Sequence, residues 1–132
     1  MNVQDNFKHS EITEKIIKAY YKVYNSLGYG FLEKVYEKSM FIELNEMGLY
    51  PIRQKEIKVY YEGNEVGEYY ADIIVNDCVI IELKAAEIII EIHETQLVNY
   101  LKATDIEVGL LLNFGKKAEF KRKVFSNKKY LN

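Results

Sequence analysis

The sequence predicts an α/β fold in which a mixed β-sheet is flanked by helices. Two observations indicate this class. Segments with apolar residues at helical spacing alternate with short β-branched runs, and the predicted order along the chain is α-α-β-β-β-α-β. The 132 residues are 48% hydrophobic and 29% charged, which is ordinary for a globular protein. We therefore expect one domain, residues 1–132, with a hydrophobic core of its own.

Two helices are predicted in the first part of the chain. In the first, apolar residues recur at helical spacing from Ile12 to Leu27, with Ser10 as candidate N-cap and Gly28-Tyr29-Gly30 at its end. The second begins near Phe31 and ends at Gly48, which suits a helix C-terminus. Its apolar face predicts a set of buried residues: Leu32, Val35, Tyr36, Met40, Leu44 and Met47.

Three strands are predicted next, at about 52–61, 66–75 and 79–84. The turns between them fall at Glu62-Gly63-Asn64 and Asn76-Asp77, which are turn-forming residues. A helix at about 92–104 follows. Residues 107–114, EVGLLLNF, then predict a strand that is buried on both faces.

The sequence carries no sign of export or membrane insertion. Its one cysteine, Cys78, cannot form an internal disulfide, which suits a reducing cytosol. The polar N-terminal segment lacks the apolar core of a signal peptide, and no apolar run approaches the roughly 20 residues of a transmembrane helix. We expect a cytoplasmic protein without a membrane partner.

The charge of the chain is unevenly distributed. The net charge is −2, but Lys116 to Lys129 holds seven basic residues and one acidic residue, which leaves 11 basic and 19 acidic residues elsewhere, a net of −8. A basic tail from about residue 116 would bind a phosphate backbone. The alternative is a solvated C-terminus, which charge alone favours. The candidate phosphate contacts are Lys116, Lys117, Lys121, Arg122 and Lys123.

Three charged residues, Asp72, Glu82 and Lys84, interrupt the apolar hairpin sequence DIIVNDCVIIELK. Burying an unpaired charge is costly, so these residues need a reason to be there. Glu82 and Lys84 share a face because strand side chains alternate. A two-residue loop would leave Asp72 on the opposite face from Glu82, whereas a three-residue loop, Asn76-Asp77-Cys78, places the two acids opposite each other. The three-residue loop is favoured because it makes the other face wholly apolar.

Two facing carboxylates repel each other unless a cation lies between them. Oxygen ligands with open positions suit Mg²⁺ or Mn²⁺, which would polarise a phosphoryl oxygen and lower the pKa of a bound water. Lys84 would orient that water or neutralise the charge that develops on the phosphorus oxygens. The alternative is a buried Glu82–Lys84 ion pair with Asp72 at a strand end, and these residues alone leave both interpretations open.

The pattern D-x9-E-x-K on a hairpin resembles the core motif of the PD-(D/E)XK nuclease superfamily. GFLEKVY, with Gly30, Glu33 and Tyr36, is similar to the motif of the GxxExxY proteins, a bacterial family within it. The resemblance spans about residues 12–114 and includes YYADIIV, IIELKA, HETQLVNYLKAT and GLLLNFG. Ala71 stands where the superfamily name has Pro, a position that often varies. The resemblance implies a restriction-endonuclease-like fold.

The resemblance also implies roles for residues outside the hairpin. Glu33 would complete the metal ligands from a helix, although many helical Glu residues simply pair with a Lys. Gln96 and Tyr100 lie one turn apart on one helix face, and similar pairs occur in recombination and CRISPR-adaptation nucleases, where the Gln touches the metal-bound water or a phosphate. Tyr36 and His93 are auxiliary candidates. The alternatives are a half-buried core role for Tyr100 and a capping role for His93.

Together these features imply Mg²⁺- or Mn²⁺-dependent hydrolysis of DNA or RNA. Glu33, Asp72 and Glu82 would hold the metal, and Lys84 and Gln96 would act with the two hairpin acids in catalysis. The alternative is a catalytically silent module that binds nucleic acid or protein and keeps the fold. The expected partner is nucleic acid, and both a homodimer and a partner protein stay open.

Overall fold

The computed structural model describes residues 8–126, which form three helices and one five-stranded sheet. The predicted α/β class and element order are confirmed, with one further strand after them. The helices are α1 (Ser10–Leu27), α2 (Glu33–Glu46) and α3 (Glu91–Lys102). The strands are β1 (Pro51–Tyr61), β2 (Asn64–Val75), β3 (Val79–Lys84), β4 (Val108–Phe114) and β5 (Ala118–Val124).

The strands lie in the order β1-β2-β3-β4-β5. β3 and β4 are parallel and every other neighbouring pair is antiparallel, so the sheet is mixed, as predicted. The chain between the two parallel strands contains α3, since a parallel connection needs a crossover. Ile73 pairs with Ile81 and Val75 with Val79. This register leaves Asn76, Asp77 and Cys78 as the loop and confirms the predicted three-residue connection.

The helices cover both faces of the sheet. α1 and α2 pack on one face, where the core includes Ile16, Tyr20, Met40, Leu44, Ile73, Ile81, Leu83 and Leu110. α3 packs on the other face, where the core includes Ile57, Ile74, Ile80, Leu97, Leu101 and Leu111. Burial on both faces explains why β3 and β4 are nearly continuous apolar runs. None of the helices between residues 8 and 126 has the length and apolar composition that a membrane span requires.

The ends of the first two helices differ from the prediction. His9, with φ 55°, precedes α1, so Ser10 is the first helical residue rather than the N-cap. Leu32 is 81% exposed because α2 begins one residue later, and Val35 is also exposed. These two were wrongly predicted to be buried. The other four predicted positions are buried or partly buried in the core.

A fifth strand occupies part of the segment that was predicted to be a basic tail. β5 pairs with β4 along its whole length, and Ala118, Phe120 and Val124 pack on the α1 side of the sheet. The alternation of these apolar residues was visible in the sequence, but the intervening lysines and arginine obscured it. Residues 127–132, with Lys128 and Lys129, lie outside the described part of the chain.

Candidate active site

The two hairpin acids face each other across β2 and β3. The backbone N–H of Asp72 donates to Oε1 of Glu82 over 3.1 Å, and the N–H of Leu83 donates to Oδ2 of Asp72 over 2.8 Å. Each carboxylate therefore accepts a hydrogen bond from the backbone of the opposite strand. The two acids are the next residues along the hairpin from the Ile73–Ile81 pair, and these contacts confirm that they are juxtaposed, as predicted.

The sheet is irregular at this point. On β1, Gln54 has a left-handed backbone with φ 53°, between residues that pair with Ile73 and Ala71 of β2. Ala71 packs against the α3 side and Ile73 against the α1 side, although residues two apart in a regular strand share a face. β2 therefore changes face at Asp72, which lies between them. The acid pair lies where the strands twist away from a regular ladder.

Burial dominates the electrostatics of the pair. It raises the pKa of Glu82 to about 8, and the neighbouring Asp72 adds to the effect. Burial also raises the pKa of Asp72, with smaller contributions from the negative charges of Glu37 and Glu33. The positive charge of Lys84 opposes the rise at both acids. Ionising both carboxylates together is therefore unfavourable unless a cation accompanies them.

Lys84 lies at the end of β3, two residues after Glu82. It pairs with Asn113 on β4 and is partly exposed. Among the ion pairs of residues 8–126 none involves Lys84, so the alternative of a direct Glu82–Lys84 ion pair is not observed. Glu82 instead takes its hydrogen bond from the backbone of Asp72. The ammonium is thus near both acids and still available for another anion.

Glu33 is the first residue of α2 and is exposed. Its negative charge makes a small contribution to the raised pKa of Asp72, whose main cause is burial. Within residues 8–126, however, no three His, Cys, Asp or Glu side chains are grouped closely enough to hold a metal ion. The structure therefore brings Asp72 and Glu82 together and leaves Glu33 outside that pair.

A second glutamate on α2, Glu37, was missed by sequence reasoning. It is 3% exposed and accepts hydrogen bonds from Arg53 Nε over 2.9 Å and Gln54 Nε2 over 2.6 Å. Lys34 lies 3.5 Å from the same carboxylate. Glu37 thus ties α2 to the left-handed residue of β1 beside Asp72. No local sequence signal marks it, because its partners come from a distant strand.

Tyr36 has a structural role in this fold. Its hydroxyl donates to the carbonyl of Gly28 over 2.8 Å and accepts from the N–H of Phe31 over 3.2 Å. Its ring stacks on Phe114 with centroids 4.1 Å apart. These contacts fix the loop before α2, and hence the position at which Glu33 begins the helix.

Two predicted residues of α3 meet beside the acid pair. Gln96 Nε2 donates to the hydroxyl of Tyr100 over 3.0 Å. Tyr100 is 6% exposed, and its pKa is raised by burial and by the nearby charge of Glu82. His93 lies at the helix start, where its Nδ1 accepts the N–H of Ile90 over 3.3 Å. The capping contact is therefore the one observed for His93.

The segment after Lys84 is held by a second feature that sequence reasoning missed. The side chain of Asn113 both donates to the carbonyl of Ala86 and accepts its N–H, each over 2.9 Å. A Cβ atom added at Gly115 would lie 2.4 Å from that same carbonyl. Asn113 and Gly115, both within the GLLLNFG motif, thus fix the chain that connects β3 to α3.

The predicted basic phosphate contacts do not form one patch. Lys121 and Lys123 alternate with Arg122 along β5 and so lie on the opposite sheet face. Lys123 pairs with Glu94 over 2.6 Å, and Arg122 donates to the carbonyl of Lys8 over 2.8 Å. The remaining two, Lys116 and Lys117, are exposed in the turn between β4 and β5.

Comparison with known proteins agrees with this geometry. The family model of the PD-(D/E)XK nuclease superfamily matches residues 10–123. The chain belongs to this superfamily. A comparison with curated proteins gave no match. The solved structure titled "Crystal structure of SSO0001" is similar in fold, with 15% identity and a TM-score of 0.55. The similarity covers 70% of this chain and 50% of the other, so the chain spans about half the length of that protein.

Nucleases of this superfamily generally use divalent metal ions such as Mg²⁺. The residues present fit such an ion, because the buried Glu82 and the partly buried Asp72 face each other with raised pKa values and present only oxygen donors. Asp72 and Glu82 are the side chains that would hold it.

Proposed function

We propose that this chain is a metal-dependent nuclease that hydrolyses phosphodiester bonds in DNA or RNA. The observation that best supports this function is the facing acid pair of partly buried Asp72 and buried Glu82, with the positive charge of Lys84 acting on both. A silent module that only kept the fold would gain nothing from this arrangement, since burying facing carboxylates is unfavourable.

In this proposal Asp72 and Glu82 would hold Mg²⁺ or Mn²⁺. When bound, the cation would supply positive charge that polarises a phosphoryl oxygen. Glu33 lies outside the pair, at the start of α2, and contributes negative charge that helps to raise the pKa of Asp72. Glu37 is a positioning residue, since its carboxylate is taken up by Arg53 and Gln54.

Lys84 and Gln96 act on the substrate. As water attacks the phosphorus it gives up a proton to solvent, and the bond to the leaving oxygen breaks as that oxygen takes a proton from solvent. The ammonium of Lys84 stabilises the charge that develops on the phosphoryl oxygens. The amide of Gln96 is oriented by Tyr100, which accepts its N–H. The amide oxygen of Gln96 then accepts a hydrogen bond from the attacking water. Lys116, Lys117 and Lys121 provide further contacts to the phosphate backbone.

We also propose that the chain is a bacterial GxxExxY protein, since Gly30, Glu33 and Tyr36 occur in that pattern. Burial raises the pKa of Cys78 and keeps it a thiol, which suits a cytoplasmic protein. Nucleic acid is the proposed partner.

Metal titration and a cleavage assay test this function together. Mn²⁺ is titrated calorimetrically into the wild type, Asp72→Asn, Glu82→Gln and Lys84→Met. Asp77→Asn is the matched control, because Asp77 is an exposed acid in the loop of the same hairpin. We expect the first two variants to lose metal binding. We expect Lys84→Met to keep Mn²⁺ binding, while its rate of hydrolysis of single- and double-stranded DNA and RNA falls about 10²-fold or more.

Two results would contradict the proposal. One is an unchanged Mn²⁺ isotherm in both Asp72→Asn and Glu82→Gln. The other is a wild type that binds Mn²⁺ but cleaves none of the four nucleic acids.

A further inference from the structure

We propose that the groove between the β1–β2 hairpin and α3 binds unpaired bases of a single-stranded nucleic acid, whose backbone continues to the acid pair. The inference rests on the proposed nuclease function and names its substrate class. The groove has a volume of about 880 Å³. Its hairpin wall includes Val59, Tyr60 and Tyr69, and its helix wall includes Thr95, Asn99 and Tyr100.

Aromatic surface is exposed in this groove rather than buried in the core. Tyr60 is 61% exposed and Tyr69 is 49% exposed. Tyr69 lies 5.7 Å from Tyr100, with the rings tilted by 46°. An exposed tyrosine ring beside a second aromatic side chain is the surface on which a nucleobase stacks, and any base can use it. In a duplex the faces of the bases are already stacked on one another, so this surface suits unpaired bases.

The groove is continuous with the candidate active site. Tyr100 forms part of the groove wall and packs in the same core cluster as Ala71, the residue directly before Asp72. Gln96, which donates to Tyr100, also lines the groove. A strand with one phosphate at the acid pair must leave the site along the surface. The groove offers that path, because Tyr100 in its helix wall lies close to the acid pair.

The charge of the groove suits a polyanion. Among the described residues, its lining contains Lys58 and Lys102 and no carboxylate side chain. Lys58 is paired with Glu56 and Glu65, whereas Lys102 lies 5.8 Å from the ring of Phe125. Lys102 is therefore the stronger candidate for a phosphate contact. Thr95 and Asn99 supply polar groups for base edges.

Two adjacent tyrosines allow a matched test. Tyr69 and Tyr70 are exposed to nearly the same extent, 49% and 48%, but successive strand residues lie on opposite faces. Tyr70 pairs opposite Glu56 and bonds to Glu68, away from the groove. Tyr69→Leu and Tyr70→Leu thus remove the same group from the two faces of one hairpin. Tyr60→Leu is a second groove variant at a still more exposed position.

Binding is measured by fluorescence anisotropy in Ca²⁺ with three labelled probes: a 12-nucleotide oligothymidylate, an abasic strand and a duplex of the same length. We expect the oligothymidylate to bind the wild type most tightly. Tyr69→Leu should weaken that binding about five- to a hundred-fold, the range for loss of one base stack. Tyr60→Leu should weaken it in the same direction. Tyr70→Leu should leave it unchanged, and melting curves confirm that each variant is folded.

The groove proposal is overturned if Tyr69→Leu and Tyr60→Leu bind oligothymidylate like the wild type, or if they lose the same affinity for the abasic strand. A cleavage assay in Mn²⁺ distinguishes failure of the groove proposal from failure of the proposed nuclease function. Cleavage with no Tyr69 effect leaves the nuclease function standing and removes the groove. A base-dependent Tyr69 effect without any cleavage leaves a single-strand binding groove and removes the nuclease function.

Discussion

Asp72 and Glu82 each receive a backbone N–H, which favours the charged form, yet the pKa of both is raised. Burial therefore outweighs the hydrogen bonds. Since the two groups are in contact, they titrate as a pair in the metal-free protein and hold a proton between them over much of the neutral range. In the proposed function a divalent cation would replace that proton, since an arrangement that disfavours two bare carboxylates favours a cation between them.

The stability of the metal-free protein should fall as the pH rises. The folded-state pKa of Glu82, about 8, lies above its ordinary value of 4.5, so the folded state holds the proton more tightly than the unfolded state. The contribution of the Glu82 proton to the free energy of unfolding is fully present below pH 4.5 and is lost as the pH rises through about 8. We expect a slope of at most about 1.4 kcal/mol per pH unit, the value for one proton. Urea unfolding in EDTA measures it.

Glu82→Gln should remove most of this slope, whereas Glu46→Gln, at an exposed position of α2, should keep it. Added Mn²⁺ should flatten the wild-type slope. A wild-type stability that stays constant between pH 5 and 8, or a slope that survives in Glu82→Gln, would argue against a protonated acid pair.

The acid pair was predictable from the sequence, whereas its support was not. The alternation of apolar residues fixed the register of the hairpin, and the register alone places Asp72 opposite Glu82. Glu37 and Gln54 depend on a contact between a helix and a distant strand, and on a left-handed backbone at a residue other than glycine. Neither leaves a pattern in the sequence.

At the level of helices and strands, the position of α3 decides where Gln96 and Tyr100 lie. A Cβ atom at Gly109 of β4 would lie 2.7 Å from the side chain of Leu97, so α3 approaches the sheet closely there. Asn113 and Gly115 fix the preceding connection at Ala86. The sequence predicted the helix and the strand but not their close approach, because glycine in a strand has several explanations.

Gly115→Ala should destabilise the fold by about 1–3 kcal/mol, the usual cost of overpacking. The added carbon would meet the carbonyl of Ala86 at 2.4 Å, and backbone atoms cannot move aside as a side chain can. Gly67→Ala is the control, since its nearest atom is a ring carbon of Tyr69 at 3.3 Å. Thermal melting measures both, and equal melting temperatures for Gly115→Ala and the wild type would refute the close approach.

Considering the chain as a whole, β5 combines two properties that the sequence seemed to separate. It completes the sheet by covering β4, in which all seven residues are buried. Its lysines also give a charged edge, which discourages pairing with another chain. The seven-to-one excess of basic residues from Lys116 to Lys129 predicted the charge but hid the strand.

Deleting residues 118–132 should therefore give an insoluble or unfolded protein, because it would expose the apolar edge of β4.

Phosphate binding by the basic residues is tested by neutralising their charge without removing the strand. The variant Lys116→Gln/Lys117→Gln/Lys121→Gln changes only exposed side chains. It should melt like the wild type and show a flatter dependence of log K on log salt for DNA, by about 0.7–0.9 for each lysine that no longer binds a phosphate. The matched control is Lys15→Gln/Lys18→Gln/Lys38→Gln, which removes the same amount of positive charge from exposed positions of α1 and α2. If both triple variants flatten the slope equally, the effect is net charge alone, and the β4–β5 turn is no phosphate site.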